Sequence, residues 1–463
     1  MLRKVWSYSL VALCLFSSPA MAQSQSGAIP RRLTLKQAED LLIQRNLSVI
    51  AARYQIDATR AARLIASYKP NPVLTVGAQQ FPFYSPLAGS FTRFFSTNSD
   101  AGAQPTYTFH VDKTIERGSK RELRIAQADF QVKASEALAL DAIRTQLFQL
   151  RQAFTAALLA QQNLQLVEAI NHQYEQTERL TEAKVENGDI AGAELYRVQA
   201  GKLQYQQAVI QARVSYEMAT RDILNLLGAK AEDVSASAIA EASSVTSGPA
   251  VQGDQQTQID GALATAPLEI SGTFDDRPIV QTLGELRQIA LTERPDVIVA
   301  RNNLEAATRG VQLARAQRSR DVILGFEYQR VGDDHAAGLT LQIPLFVYNN
   351  QQAAITQADA QRMSAEALLR QAELQATTDV EKAYQAYQSA RRVLDLYNKQ
   401  NLKPVEKLKT ISDYSFKEGA SSLLEFLDAQ RTYNQALTAY NQARSDYQMS
   451  LWQLEQAVGR PLR

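Results

Sequence analysis

Cysteine is nearly missing from this chain. The 463 residues hold one, Cys14, inside an apolar N-terminal stretch, so a disulfide framework and thiol chemistry are excluded. A lipid-bearing cysteine would want a small residue before it, and Leu13 stands there instead. Histidine is scarce too. His110, His172 and His335 fall in a strand, a helix and a loop by pattern, too scattered for a ligand set or a triad, and no phosphate loop or nucleophile motif accompanies them. No sign of charge dominates. The formal net charge of +1 becomes −1 without Arg3 and Lys4 (1 − 2), and no basic stripe marks a nucleic-acid face. Nor does any segment reach the ~18 apolar residues that a spanning helix needs, so a chain like this can cross a membrane only with strands.

Glycine and proline are absent from Ser119 to Glu186, which leaves one helix free to run for ~65 residues, or ~100 Å. A matching stretch begins near Gln351, with Pro404 inside it as the expected kink. Such lengths need partners. Ile143, Leu147, Leu150, Phe154 and Ala157 step by 4, 3, 4 and 3, and Ala383, Tyr387, Ala390, Leu394 and Tyr397 keep the same rhythm, the seam of a coiled coil.

The chain repeats itself. A shift of 248 lays Leu35 on Leu283, Val49 on Val297, Arg53 on Arg301 and Gly77 on Gly325. A shift of 231 lays Gly188 on Gly419, Glu194 on Glu425, Gln199 on Gln430 and Gly228 on Gly459. The expected division is a signal peptide at 1–22, a first repeat at 23–228, a linker at 229–277 and a second repeat at 278–463. The leader pairs Arg3 and Lys4 with the apolar run Val5 to Phe16 and ends at Ala20-Met21-Ala22. A short membrane anchor is the competing reading. The linker is rich in Ala, Ser, Gly, Thr and Gln, and reads as weakly ordered before a short strand at "LEISGTF".

Each half reads as helix, two strands, long helix, turn, helix. The first helix spans about Thr34 to Tyr68 and is stopped by Pro70 and Pro72. "PTYTFHVDK" alternates, with Tyr107, Phe109 and Val111 on one face and Thr106, Thr108 and His110 on the other. "DVILGFEYQRV" puts Val322, Leu324, Phe326 and Tyr328 on one face, and "GLTLQIPLF" does so with Leu341, Ile343 and Leu345. Two-faced strands of this length suit a bilayer-spanning barrel, with soluble hairpins on a core as the alternative. Phe81 to Gln104 would be a long outer loop. Four strands cannot close alone. Two chains would give eight and three would give twelve, enough for a lumen, and three is the reading taken here. The fold class expected is mainly α with a membrane β-barrel, four strands per chain and long antiparallel coiled-coil helices.

The second turn, "GASSLLEFLDAQRTYNQ", carries Glu425 and Asp428 one helical turn apart, and the first carries Glu194. Acids near a helix N-terminus stabilise it whatever else they do. In a three-fold assembly they would also form stacked carboxylate rings at a narrow opening, drawing cations and repelling anions.

Several stretches resemble the TolC family of outer-membrane efflux and secretion channels: "RPD" at Arg294 to Asp296, "GSKR" at Gly118 to Arg121, "PLF" at Pro344 to Phe346 and "LLEFLDAQRTYNQA" at the second turn. "GSKRELRIAQAD" and "ARAQRSRDVILGFEYQR" look most like the branch serving cobalt-zinc-cadmium exporters. The resemblance implies a homotrimer in outer-membrane lipid, a helical tunnel in the periplasm, and docking to a periplasmic adaptor and an inner-membrane pump at the tip turns Gly188 and Gly419. It implies a duct, not an enzyme, without a cofactor, passing metal cations or small toxic compounds. A protein-secretion duct of the same fold and a periplasmic coiled-coil adaptor are the alternatives. By position Glu425, Asp428 and Glu194 match the family's acidic constriction. Ala420, Ser421 and Ser422 stand where family members carry a locking arginine, so other contacts are expected to hold this tip.

Overall fold

The computed structural model describes residues 29–79, 105–230, 234, 268–345, 349–397 and 399–462. The expected leader, the aromatic loop 81–104, most of the linker and Phe346 lie outside the described residues.

Two runs of similar elements follow one another. The first is β1 (Arg32–Thr34), α1 (Leu35–Arg45), α2 (Leu47–Ser67), β2 (Val73–Gln79), β3 (Thr106–Ile115), α3 (Lys120–Glu186) and α4 (Gly192–Leu226). The second is β4 (Glu269–Ser271), α5 (Leu283–Glu293), α6 (Pro295–Ala316), β5 (Val322–Val331), β6 (Asp334–Gln342), α7 (Gln352–Leu396), α8 (Lys399–Lys417) and α9 (Leu423–Val458).

The opening helix of each run is broken, where one unbroken helix was expected from Thr34 to Tyr68. Asn46 ends α1 in extended geometry and caps α2, its Oδ1 accepting from the amides of Ser48 and Val49 at 2.9 and 3.1 Å. Arg294 breaks the second run for another reason: the residue before a proline is pushed out of the α region.

The four long strands form one antiparallel sheet in the order β2-β3-β5-β6. Its register lines Leu74, Val111, Phe326 and Leu339 across one face, with Val76 and Phe109 beside them. All six are exposed in the protomer, Leu339 at 87%. His335, expected in a loop, belongs to β6, because the return at Gly332 and Asp333 is so tight that the strand resumes at once. Among the described residues no helix is long and apolar enough to cross a membrane.

Helix α3 has 67 residues and is the spine against which α2, α4, α6 and α9 pack. The expected seam is buried: Leu150 and Ala157 at 0% and Phe154 at 4%, while Ala383 and Tyr387 do the same on α7. The break in the second long helix is at Tyr397, upstream of Pro404. Pro404 itself lies inside α8, and the carbonyl its ring would crowd is that of Gln400, three residues past the break. Asn401 Nδ2 satisfies the loose Leu396 carbonyl at 2.9 Å.

Equivalent tyrosines close both repeats. Tyr216 donates to Leu268 O at 3.2 Å and accepts from Ile270 N, and Tyr447 donates to Arg277 O at 2.8 Å. They pin the last part of the connecting segment, where β4 pairs in parallel with β1. Arg151 then ties the repeats together, reaching Glu39 at 2.6 Å and Glu455 at 2.7 Å while lying over the Trp452 ring. Arg294, 5% exposed, bonds Asp296 and Asp379 at 2.8 Å each and the Ala457 carbonyl at 3.2 Å. Burial alone would depress its guanidinium, but the hydrogen bonds it donates to Asp379 and Asp296 outweigh that and hold its pKa above the ordinary value.

Candidate functional site at the paired helix turns

Both long hairpins turn by the same device. Gly188 and Gly419 have φ of +80° and +77°, a region that only glycine enters cheaply. Behind them Asp189 N reaches Lys184 O at 2.9 Å and Ala420 N reaches Ser415 O at 2.7 Å, equivalent bonds 231 residues apart. A Cβ at either glycine would meet nothing within 4 Å, so backbone conformation alone accounts for the residue type.

Glu194 and Glu425 are found in the first turns of the returning helices and Asp428 one turn further in, and each has a local partner. Glu425 Oε2 accepts from Ser422 N at 3.2 Å while Ser422 Oγ accepts from Glu425 N at 3.3 Å, a reciprocal capping box. Both Glu194 oxygens accept from Arg197 Nη1 at 3.0 Å. Asp428 Oδ1 accepts from Arg431 Nη2 at 2.7 Å, both side chains well exposed. Such exposed pairs contribute roughly 0–1 kcal/mol. They matter more for charge: Arg197 and Arg431 offset Glu194 and Asp428, which leaves Glu425 as the carboxylate of this set without a cation in contact.

What holds the two hairpins together was not read from the sequence. Val198, Phe416, Leu423 and Phe426 form a buried cluster spanning α4, α8 and α9, with Phe416 and Phe426 stacked at 4.8 Å. Lys184, at the end of α3, crosses to it. Its Nζ donates to Phe416 O at 2.8 Å and lies 4.7 Å from that ring's centroid. One ammonium thus adds a second donor to a helix-end carbonyl that Gly419 N reaches at 3.2 Å, and rests on a buried aromatic. The available signal was the lysine in the last turn of α3 together with an aromatic in the last turn of the second hairpin's first arm. Between the turns lies a cavity of 560 Å³, lined in part by Lys184, Glu194, Phe416 and Leu423.

Further up, Glu178 accepts from Lys202 at 2.8 Å, and that hydrogen bond holds its carboxyl below the ordinary value. Burial pushes the Tyr174 hydroxyl up to about 12, beside Tyr205 at 4.7 Å. Gln430 is buried with Nε2 on Asp413, whereas its repeat counterpart Gln199 is exposed. The symmetry of the sequence does not extend to packing here. Among the described residues no group of three His, Cys, Asp or Glu side chains could hold a metal ion.

A family described as outer membrane efflux protein matches residues 39–229 and 286–460. The pyoverdine export outer membrane protein OpmQ of Pseudomonas putida is 31% identical over 155 residues, covering 32% of this chain and 33% of that protein. This chain therefore aligns with only about a third of that relative's length. In fold, the outer-membrane channel OprN superposes with a TM-score of 0.69 at 20% identity, over 92% of this chain and 89% of that one. VceC of Vibrio cholerae does so with 0.67 at 17%, over 93% and 97%.

Proposed function

The chain belongs to the outer membrane efflux protein family, and from that premise we propose that it is the exit duct of a tripartite export system, built from three copies. The sheet carries the reading. One face exposes Leu74, Val76, Phe109, Val111, Leu324, Phe326, Leu339 and Leu341. Exposing that much contiguous apolar surface to water would be costly, and hydrocarbon relieves the cost at ~25 cal/mol per Å². Among the described residues β2 and β6 each leave one edge of the sheet open, and open edges are excluded in lipid, so β6 of one copy pairs with β2 of the next. Three copies supply twelve strands, wide enough for an open lumen. A second unpartnered surface agrees. Tyr196, Leu203 and Ile210 stand on α4 at spacings of seven, 73%, 68% and 60% exposed, and suit a coiled-coil seam between copies.

In this reading residues 1–22 are a leader, 23–228 and 278–463 are the two repeats, and 229–277 joins them. The turns at Gly188 and Gly419 meet a periplasmic adaptor, and an inner-membrane pump supplies the energy. The chain catalyses no reaction of its own. Glu425, with Asp428 and Glu194, lines the narrow end.

The cargo proposed is a metal cation of the cobalt-zinc-cadmium class, supported by "GSKRELRIAQAD" and the "ARAQRSRD" stretch. The partial likeness to a pyoverdine exporter favours a second cargo class, small organic compounds. Growth of a deletion strain against divalent metals and organic toxicants separates them. Sensitivity confined to metals, reversed by the gene, is the expected result; sensitivity to dyes and antibiotics alone would overturn the metal reading.

A further inference from the structure

The other face of the sheet is unlike the apolar one. Register puts His110 and Asp112 of β3 beside Glu327 of β5, at the middle of the wall. His110 Nε2 is 2.7 Å from Asp112 Oδ1, and its Nδ1 is 3.6 Å from Glu327 Oε2. All three side chains are partly exposed, at 23%, 32% and 35%. Gly325 makes the arrangement possible. A Cβ there would collide with Thr340 Oγ1 and stand 2.7 Å from Asp112 Oδ1 and 2.8 Å from His110 Cε1, so glycine alone lets these groups fold over the strand.

The distribution of charge is one-sided. The cationic residues of the four strands, Lys113 and Arg330, share the opposite, apolar face by register. The polar face thus carries two carboxylates and one imidazole at mid-height, and no Lys or Arg of β2, β3, β5 or β6 lies on it. It is net negative whether His110 is neutral or protonated. The imidazole turns its two nitrogens to different carboxylates, so no point is shared by three donors, and the cluster acts as fixed charge and not as a chelating site.

We propose that Asp112 and Glu327 form a charge filter in the barrel wall, distinct from the acids at the helix tip, that favours cations over anions leaving the duct. The inference rests on the three-copy duct reading, in which two carboxylates per copy make a belt of six. Low-dielectric walls focus the field of such a belt into the lumen.

The test uses the full-length protein in planar bilayers under a potassium chloride gradient. Asp112→Asn with Glu327→Gln is measured in the native chain and in one already carrying Glu425→Gln and Asp428→Asn. The potassium-to-chloride permeability ratio should fall about two-fold or more in both backgrounds. Gln329→Lys, which adds a cation to the same face and leaves the cluster intact, should shift the reversal potential in the same direction. A cation-selective native channel whose ratio is moved by neither change overturns the filter and leaves the duct standing. A native protein that inserts but does not conduct overturns the duct reading, and the filter with it.

Discussion

Replacing Lys184 with methionine keeps most of the side chain's apolar stem and deletes only the ammonium. Two interactions disappear: the 2.8 Å hydrogen bond to Phe416 O and the contact with the Phe416 ring at 4.7 Å. A charged hydrogen bond contributes about 1.5–3 kcal/mol and a partly exposed cation–π contact about 0.5–1. Lys184 is only half buried, so the sum is taken near its lower end, about 2 kcal/mol per copy. That corresponds to about a 30-fold change in the balance between joined and parted hairpins. Phe416 remains stacked on Phe426, so the tip loosens without unfolding. Single-channel recording reads the effect as an open probability raised by about that factor, and Lys184→Arg should restore part of it. If Lys184→Met leaves the open probability unchanged, the tip is not held by this contact and the reasoning fails.

Other outcomes follow from the same contacts. Arg294→Ala strands Asp296, Asp379 and the Ala457 carbonyl. It should cost about 3 kcal/mol, the low end for a broken buried pair because both acids are about a third exposed, and should lower the midpoint of a thermal circular-dichroism melt. Gly419→Ala meets no clash but must hold φ at +77°, costing about 1–2 kcal/mol and raising protease cleavage at the turn. Glu178 has a depressed pKa, so the stability it brings is present above its ordinary 4.5 and is lost as pH falls through the lower folded value. Protection factors for hydrogen exchange at the tip, taken against the intrinsic rate at each pH, should therefore fall on acidification below about pH 4.5, and Glu178→Gln should blunt that response.

Much of the architecture is legible in short-range pattern. Period two exposes the strands, since Phe109 and Val111 must share a face, and the missing glycine and proline announce α3. What escapes such reading depends on single side chains or distant partners. Asn46 breaks a helix by capping the next one, and the second long helix breaks at Tyr397, seven residues before Pro404. The parallel pairing of β1 with β4 joins residues more than 200 positions apart, which no local pattern encodes. At the tip the repeat locates Glu194 and Glu425, whereas Asp428 falls on Arg197 at the same shift; Arg197 and Arg431 stand three positions beyond Glu194 and Asp428, where a helix makes them neighbours. Lys184 and Phe416 meet only because the two hairpins pack together, a tertiary fact.

Closure of the barrel between copies is the point on which the account stands, and engineered cysteines test it most directly. In a Cys14→Ser background, Val76→Cys on β2 is combined in turn with Ala337→Cys, Leu339→Cys or Leu341→Cys on β6, and outer membranes are oxidised. The account predicts that one register yields covalent species of two and three chains, ending at three. A ladder that stops at two, one that continues past three, or no cross-link in any register would contradict it.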